Sequence, residues 1–200
     1  MLKKIIIITL ILLSKISFAE AQKTPILSGY MYEHQSEVLD QNRRYMVSLP
    51  ERYYSNNRHY PTLYVIDGDF QFQHTSALVT NLSRMGKIPP MIVIGVANQG
   101  QQDYIYHTTW AADDNPEYGG APLFNRYLEQ ELMPLIKQNY RTNSQQALAG
   151  YSLGGLFTTY AMMQTNSPFN AFIAMSPSAW FDNESLAKKL PAYISTLKTT

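Results

Sequence analysis

The chain has 200 residues, with 16 Lys and Arg set against 15 Asp and Glu, and no cysteine. That balance supplies neither the basic patch that nucleic-acid binding needs nor the acidic tract of a cation-binding surface. With no thiol to bridge or lipidate, the fold must rest on an ordinary hydrophobic core, which a chain of this length can bury.

Lys3 and Lys4 lead into the apolar run Ile5 to Leu13, followed by a more polar stretch that ends in Ala19, Glu20 and Ala21. This pattern predicts a secretory signal peptide over residues 1–21, cut after Ala19 or Ala21, and a periplasmic or secreted mature protein. The run is too short for a hydrocarbon core of about 30 Å, and no later stretch is long and apolar enough, so no stable membrane insertion of the mature chain is expected. Loss of three lysines and one glutamate with this segment moves the formal charge from +1 to −1. Residues 22–200 carry no repeat, low-complexity tract or linker and are expected to form one domain.

Within Glu37 to Pro50, the alternating patch Tyr45 to Leu49 predicts a half-buried strand that Pro50 ends. A polar loop follows, and then Thr62 to Ile66, uncharged and rich in β-formers, as an interior parallel strand suits. It stops at Asp67-Gly68-Asp69. A helix is predicted from about Phe70 to Arg84, ended by Gly86, and a second buried strand over Met91 to Val96; strand, helix, strand builds a parallel sheet. Asn98 to Gly120 shows no clear periodicity and reads as a lid, a binding loop or a surface excursion. From Leu123 to Tyr140 the apolar positions follow helical spacing, with a break expected from Pro134.

Ala147-Leu148-Ala149 then precedes Gly150-Tyr151-Ser152-Leu153-Gly154, and helical spacing resumes behind it at Leu156, Tyr160 and Met163. Strand, sharp turn and helix around G-x-S-x-G would present the Ser152 hydroxyl at the top of a sheet, with Gly150 and Gly154 keeping side chains out of the bend. The Leu153 amide, at a helix start, is free to meet a developing oxyanion. Phe169 to Met175 predicts a further buried strand. Asp182 and Asn183 are placed to cap a last helix, although Asp182 and Glu184 also occupy a position where a catalytic acid can sit.

Taken together, LPERYYSNNRHYPTLYVIDGDF, GYSLGG and SPSAWFDNESL resemble the esterase D and enterochelin-esterase-like branch of the α/β-hydrolases, from about residue 25 to the end. The resemblance implies an α/β fold of the α/β-hydrolase type, a mostly parallel sheet with helices on both faces. It also implies a serine esterase that works through an acyl-enzyme on Ser152, with oxyanion amides from Asp69 and Leu153 and no metal or other cofactor. A siderophore lactone or another acylated small molecule is the implied substrate. Tyr104, Tyr106, His107, Trp110 and Trp180 are candidates for the pocket.

One departure is plain. The family places its acid and then its histidine after the serine, whereas His34, His59, His74 and His107 all precede Ser152. The expectation is therefore a domain incomplete at its C-terminus, its last strands missing, with an exposed sheet edge and reduced stability. A non-catalytic hydrolase-like binding protein is the alternative, and transfer of the acyl group to an acceptor other than water is a third.

Overall fold

Among the described residues six strands form one sheet in the order β1-β2-β4-β3-β5-β6. The computed structural model describes residues 23–197, so the segment expected to be a signal peptide lies outside them. β1 (Tyr30–Ser36) and β2 (Gln41–Ser48) make an antiparallel hairpin, and β2 is antiparallel to β4 (Ile92–Val96). β3 (Tyr60–Ile66), β4, β5 (Thr142–Tyr151) and β6 (Ala171–Met175) run parallel.

Alternation along the central strands divides the core between the two faces. Tyr64, Ile66, Ile92, Ile94, Val96 and Leu148 point to one face. They meet Phe124 and Tyr127 of α3 (Ala121–Tyr127), Ile136 of α4 (Met133–Asn139) and Phe157 and Ala161 of α5 (Leu153–Met162). Leu63, Val65, Val93, Ala147 and Ala149 point to the other, against Phe72 and Val79 of α1 (Gly68–Arg84). Every residue of β3 and β4 is buried, as uncharged strands covered on both sides must be. The expected α/β sheet with helices on both faces is thus present.

Several local expectations change. β1 was not anticipated: as an edge strand with Tyr30, Met31 and Tyr32 exposed, it has no buried stripe to announce it. The stretch after Asn98 contains α2 (Gln101–Thr108), whose buried side is short and polar enough to hide its period. The break expected at Pro134 takes the form of a π turn over Leu128–Leu132. There the Glu131 carboxylate accepts hydrogen bonds from the Ser36 hydroxyl (2.5 Å) and the amides of Glu37 and Val38, tying the helix to the β1–β2 turn.

β6 corrects the expectation of a buried strand. It lies at the sheet edge, and four of its five residues are exposed, Ile173 and Met175 among them. It is an apolar parallel strand left uncovered at the sheet edge. The last helix, α6 (Phe181–Leu197), opens irregularly, since Asp182, Asn183 and Glu184 all have left-handed backbone angles.

Candidate active site

β3, β4 and β5 are parallel neighbours, so the segments that leave their C-terminal ends converge on one rim of the sheet. Ser152 stands on that rim between β5 and α5, with φ 56° and ψ −118°, a conformation that a non-glycine residue adopts only under strain. The surroundings hold it there. Its amide donates to the Met175 carbonyl (3.1 Å), and its carbonyl accepts from the amides of Leu156 (2.9 Å) and Ser178 (3.1 Å).

The glycines around the turn are not equivalent. A Cβ on Gly150 would lie 2.1 Å from the Gly154 carbonyl oxygen, and one on Gly155 would lie 2.8 Å from the Met175 carbonyl oxygen. Both contacts are with backbone and cannot relax cheaply. At Gly154 the nearest atom is 3.2 Å away, a methyl carbon of Ile66. The requirement placed on Gly154 by the sequence pattern therefore falls mainly on Gly150 and Gly155.

The Ser152 side chain is partly exposed, and its Oγ lies 3.2 Å from the Ser178 Oγ. Ser178 itself is buried. It was not picked out from the sequence, although the Ser-Pro-Ser phrase after β6 is the signal that contains it.

Leu153 is the first residue of α5, and Asp69 the second residue of α1. Amides in the first turn of a helix have no acceptor within it. These two start from adjacent strands, which is the arrangement an oxyanion site needs. Asp67 takes the left-handed conformation at this turn, and Gly68 is needed because a Cβ would come within 2.7 Å of the Gly95 carbonyl carbon on β4. Asn98 fastens this corner, donating from its amide to the Asp69 carboxylate (2.7 Å) and from its side chain to Asp67 (2.6 Å). Burial, with the nearby Asp69 charge, raises the Asp67 carboxyl above its usual range against the bond from Asn98.

The candidate pocket residues separate. The Tyr104 hydroxyl accepts from the Gly154 amide (2.8 Å) and donates to the Tyr151 carbonyl (3.1 Å), so it grips the serine turn. His107 is corrected: it is buried against Phe124, with Nδ1 3.0 Å from the Asp103 carboxylate, and belongs to the core beneath α2. Trp110 stacks on Tyr160, donates to Asp182 (2.8 Å) and lines a cavity of about 340 Å³ with Tyr160, Met163, Leu186 and Lys189. Trp180 is largely exposed beside Phe181. A larger cavity, about 590 Å³, is lined by Arg58, Tyr60, Pro90 and Met91, which puts it at the opposite end of the parallel strands.

Among the described residues no histidine contacts Ser152. His34 hydrogen-bonds the Tyr127 hydroxyl (3.1 Å), His74 is exposed on α1 beside Phe70, and His59 is exposed before β3. Asp182 accepts from Ser185 (2.6 Å) and Trp110, contacts that lower its pKa and engage it at the start of α6. Also among the described residues, no three His, Cys, Asp or Glu side chains gather as a metal would require.

A mostly parallel sheet flanked by helices, with a strained serine between strand and helix on its C-terminal rim, is the α/β-hydrolase fold. A family model described as putative esterase matches residues 36–193, and the chain belongs to that family. It is 28% identical over 165 residues to the uncharacterized protein YbbA of Bacillus subtilis, covering 78% of this chain and 64% of that protein. Similarity to the ferri-bacillibactin esterase BesA of the same organism is 26% over 158 residues, covering 70% of this chain and 55% of BesA. Among solved structures, an IroE-like serine hydrolase from Shewanella oneidensis superposes with a TM-score of 0.76 at 31% identity, covering 83% of this chain and 56% of that one. The chain thus spans less than two thirds of each of these three proteins.

Proposed function

We propose that the protein is an exported serine esterase acting on a small acylated molecule. The observation that carries this is the backbone of Ser152: a partly exposed hydroxyl held at φ 56°, at the start of a helix, is strain with no structural use of its own. In this scheme the Ser152 Oγ attacks the ester carbonyl, and the negative charge on the carbonyl oxygen is met by the Leu153 and Asp69 amides. The alcohol leaves with a proton, the acyl group stays on Ser152, and water then releases the acid and restores the serine. A histidine base and its orienting acid are required parts of this chemistry. The four described histidines are engaged or remote, so none of them is assigned as the base.

The esterase relatives support ester hydrolysis, and the siderophore named for BesA favours a siderophore lactone as substrate. The signal-like segment at residues 1–21 supports export. A fluorophosphonate probe tests the chemistry: the intact protein should be labelled at Ser152, and Ser152→Ala should take no label. Absence of label on the wild-type protein would favour the second reading, a hydrolase-like binding protein, which the lack of a described histidine beside Ser152 supports. Hydrolysis of a siderophore lactone compared with an acylated sugar decides between substrate classes.

A further inference from the structure

We infer that Tyr104 is a positioning residue for the nucleophile, clamping the serine turn from outside its own strand and helix; this rests on the assignment of Ser152 above. One hydroxyl oxygen serves both sides of the bend. It accepts from the Gly154 amide at 2.8 Å and donates to the Tyr151 carbonyl at 3.1 Å, so the residue before Ser152 and the residue two beyond it are tied to a single atom. Both neighbours are backbone groups at the end of β5 and the start of α5, where β5 has run past its pairing with β3 and the helix has not gained its internal bonds.

Two consequences follow for the chemistry. The strained angles of Ser152 need an outside constraint to persist, and a two-sided clamp supplies one. In addition, the bond to Tyr104 takes the Gly154 amide out of competition for an oxyanion and leaves that role to the Leu153 amide, adjacent to Ser152. Burial pushes the Tyr104 hydroxyl up to about 12, against the bond from Gly154, so it keeps its proton and remains a donor to Tyr151 across the working pH range.

The clamp is anchored from below. Asp103, the preceding residue, receives both oxygens' contacts from the fully buried Arg43 guanidinium of β2 (2.8 and 2.9 Å). Arg43 also donates to the Ala97 carbonyl at the end of β4 (2.9 Å). α2 is thereby pinned to the sheet at the residue adjacent to the tyrosine, which sets how far the hydroxyl can reach. A chain from β2 through Asp103 and Tyr104 thus ends on the serine turn.

The test uses the intact protein and the variants Tyr104→Phe, Asp103→Asn and the double variant. Tyr104→Phe removes one oxygen and keeps the ring. We expect fluorophosphonate labelling of Ser152 and kcat on a small p-nitrophenyl ester to fall about 10- to 100-fold, with KM little changed, because a small displacement of a nucleophile acts on the reaction step more than on binding. Exchange of the Gly154 amide proton should accelerate at least about tenfold. The double variant should label little more slowly than the worse single one, since both act through the same hydroxyl.

Wild-type labelling and kcat in Tyr104→Phe overturn the inference, whatever Gly154 does. A purely structural role would lower melting temperature without the kcat-only loss, and that result also overturns it. If the wild-type protein takes no label, the nucleophile assignment fails first. The clamp is then judged on Gly154 exchange alone, where an unchanged rate in Tyr104→Phe removes it and a faster one retains it as a brace of the turn.

Discussion

The hydroxyl oxygen of Ser178 lies 3.2 Å from that of Ser152, and the Ser178 amide donates to the Ser152 carbonyl at 3.1 Å. A single residue, three positions past the end of β6, thus holds both the backbone and the side chain of the candidate nucleophile. A buried hydroxyl in that position can donate to Ser152 Oγ and select its rotamer, leaving the Ser152 proton for a base. Ser178→Ala should lower the rate of fluorophosphonate labelling about fivefold, the equivalent of one ordinary hydrogen bond of about 1 kcal/mol. Labelling as fast as wild type would show that Ser178 merely fills space.

The glycines of the turn should respond in an order that the motif alone does not give. Gly150→Ala drives a Cβ to 2.1 Å from a backbone oxygen, and a loss of more than about 3 kcal/mol or failure to accumulate as soluble protein is expected. Gly154→Ala meets only side-chain atoms, of Ile66 at 3.2 Å and the Tyr104 hydroxyl at 3.5 Å, and should cost about 1 kcal/mol or less. Thermal melts of the two variants check this, and equal losses would contradict it.

Strain at Ser152 has a measurable signature. Glycine takes φ 56° and ψ −118° with little penalty, whereas alanine suffers the same clash as serine. Ser152→Gly should therefore melt a few degrees above Ser152→Ala, on the order of 1 kcal/mol, and neither should take label. If alanine proves as stable as glycine, the backbone at this position is relaxed.

Stability should depend on acid through Asp103. Burial opposes its charge, but bonds from His107, the Gln99 amide and Arg43 prevail and hold the carboxyl well below the usual carboxylate range. A carboxylate whose folded pKa is depressed adds stability that is complete above its unfolded pKa of about 3.9 and is lost as pH falls through the lower folded value. Asp103→Asn leaves the Arg43 charge buried without its partner and should cost about 3 kcal/mol at pH 7. The gap to wild type, measured by chemical denaturation, should stay constant down to about pH 4 and narrow below it. A gap independent of pH would mean that the ion pair adds only packing.

The central sheet and the serine turn were legible because each is written in a local code. Thr62 to Ile66 and Met91 to Val96 are uncharged β-branched runs that suit only a strand covered on both sides, and Gly150 to Gly154 follows such a strand and opens a helix. Strand-helix-strand order then implied parallel neighbours, which the pairing of β3 with β4 and β5 bears out. Arg43 also left a trace: alternation puts it on the same side of β2 as Tyr45 and Val47, a charge facing inward, which is a signal that something buried must meet it.

What met it was decided only in three dimensions. Asp103 is 60 residues away from Arg43, and the Tyr104 hydroxyl reaches backbone 47 and 50 residues further on; no period or motif encodes such pairs. Tertiary contact also moved His107 from candidate pocket to core, gave Gly155 the steric role expected of Gly154, and left β6 uncovered. The reason is common to all of these. Local pattern reports what a residue prefers, while the partner that satisfies a buried charge, a free amide or a missing Cβ is chosen by which distant segment the packing brings alongside.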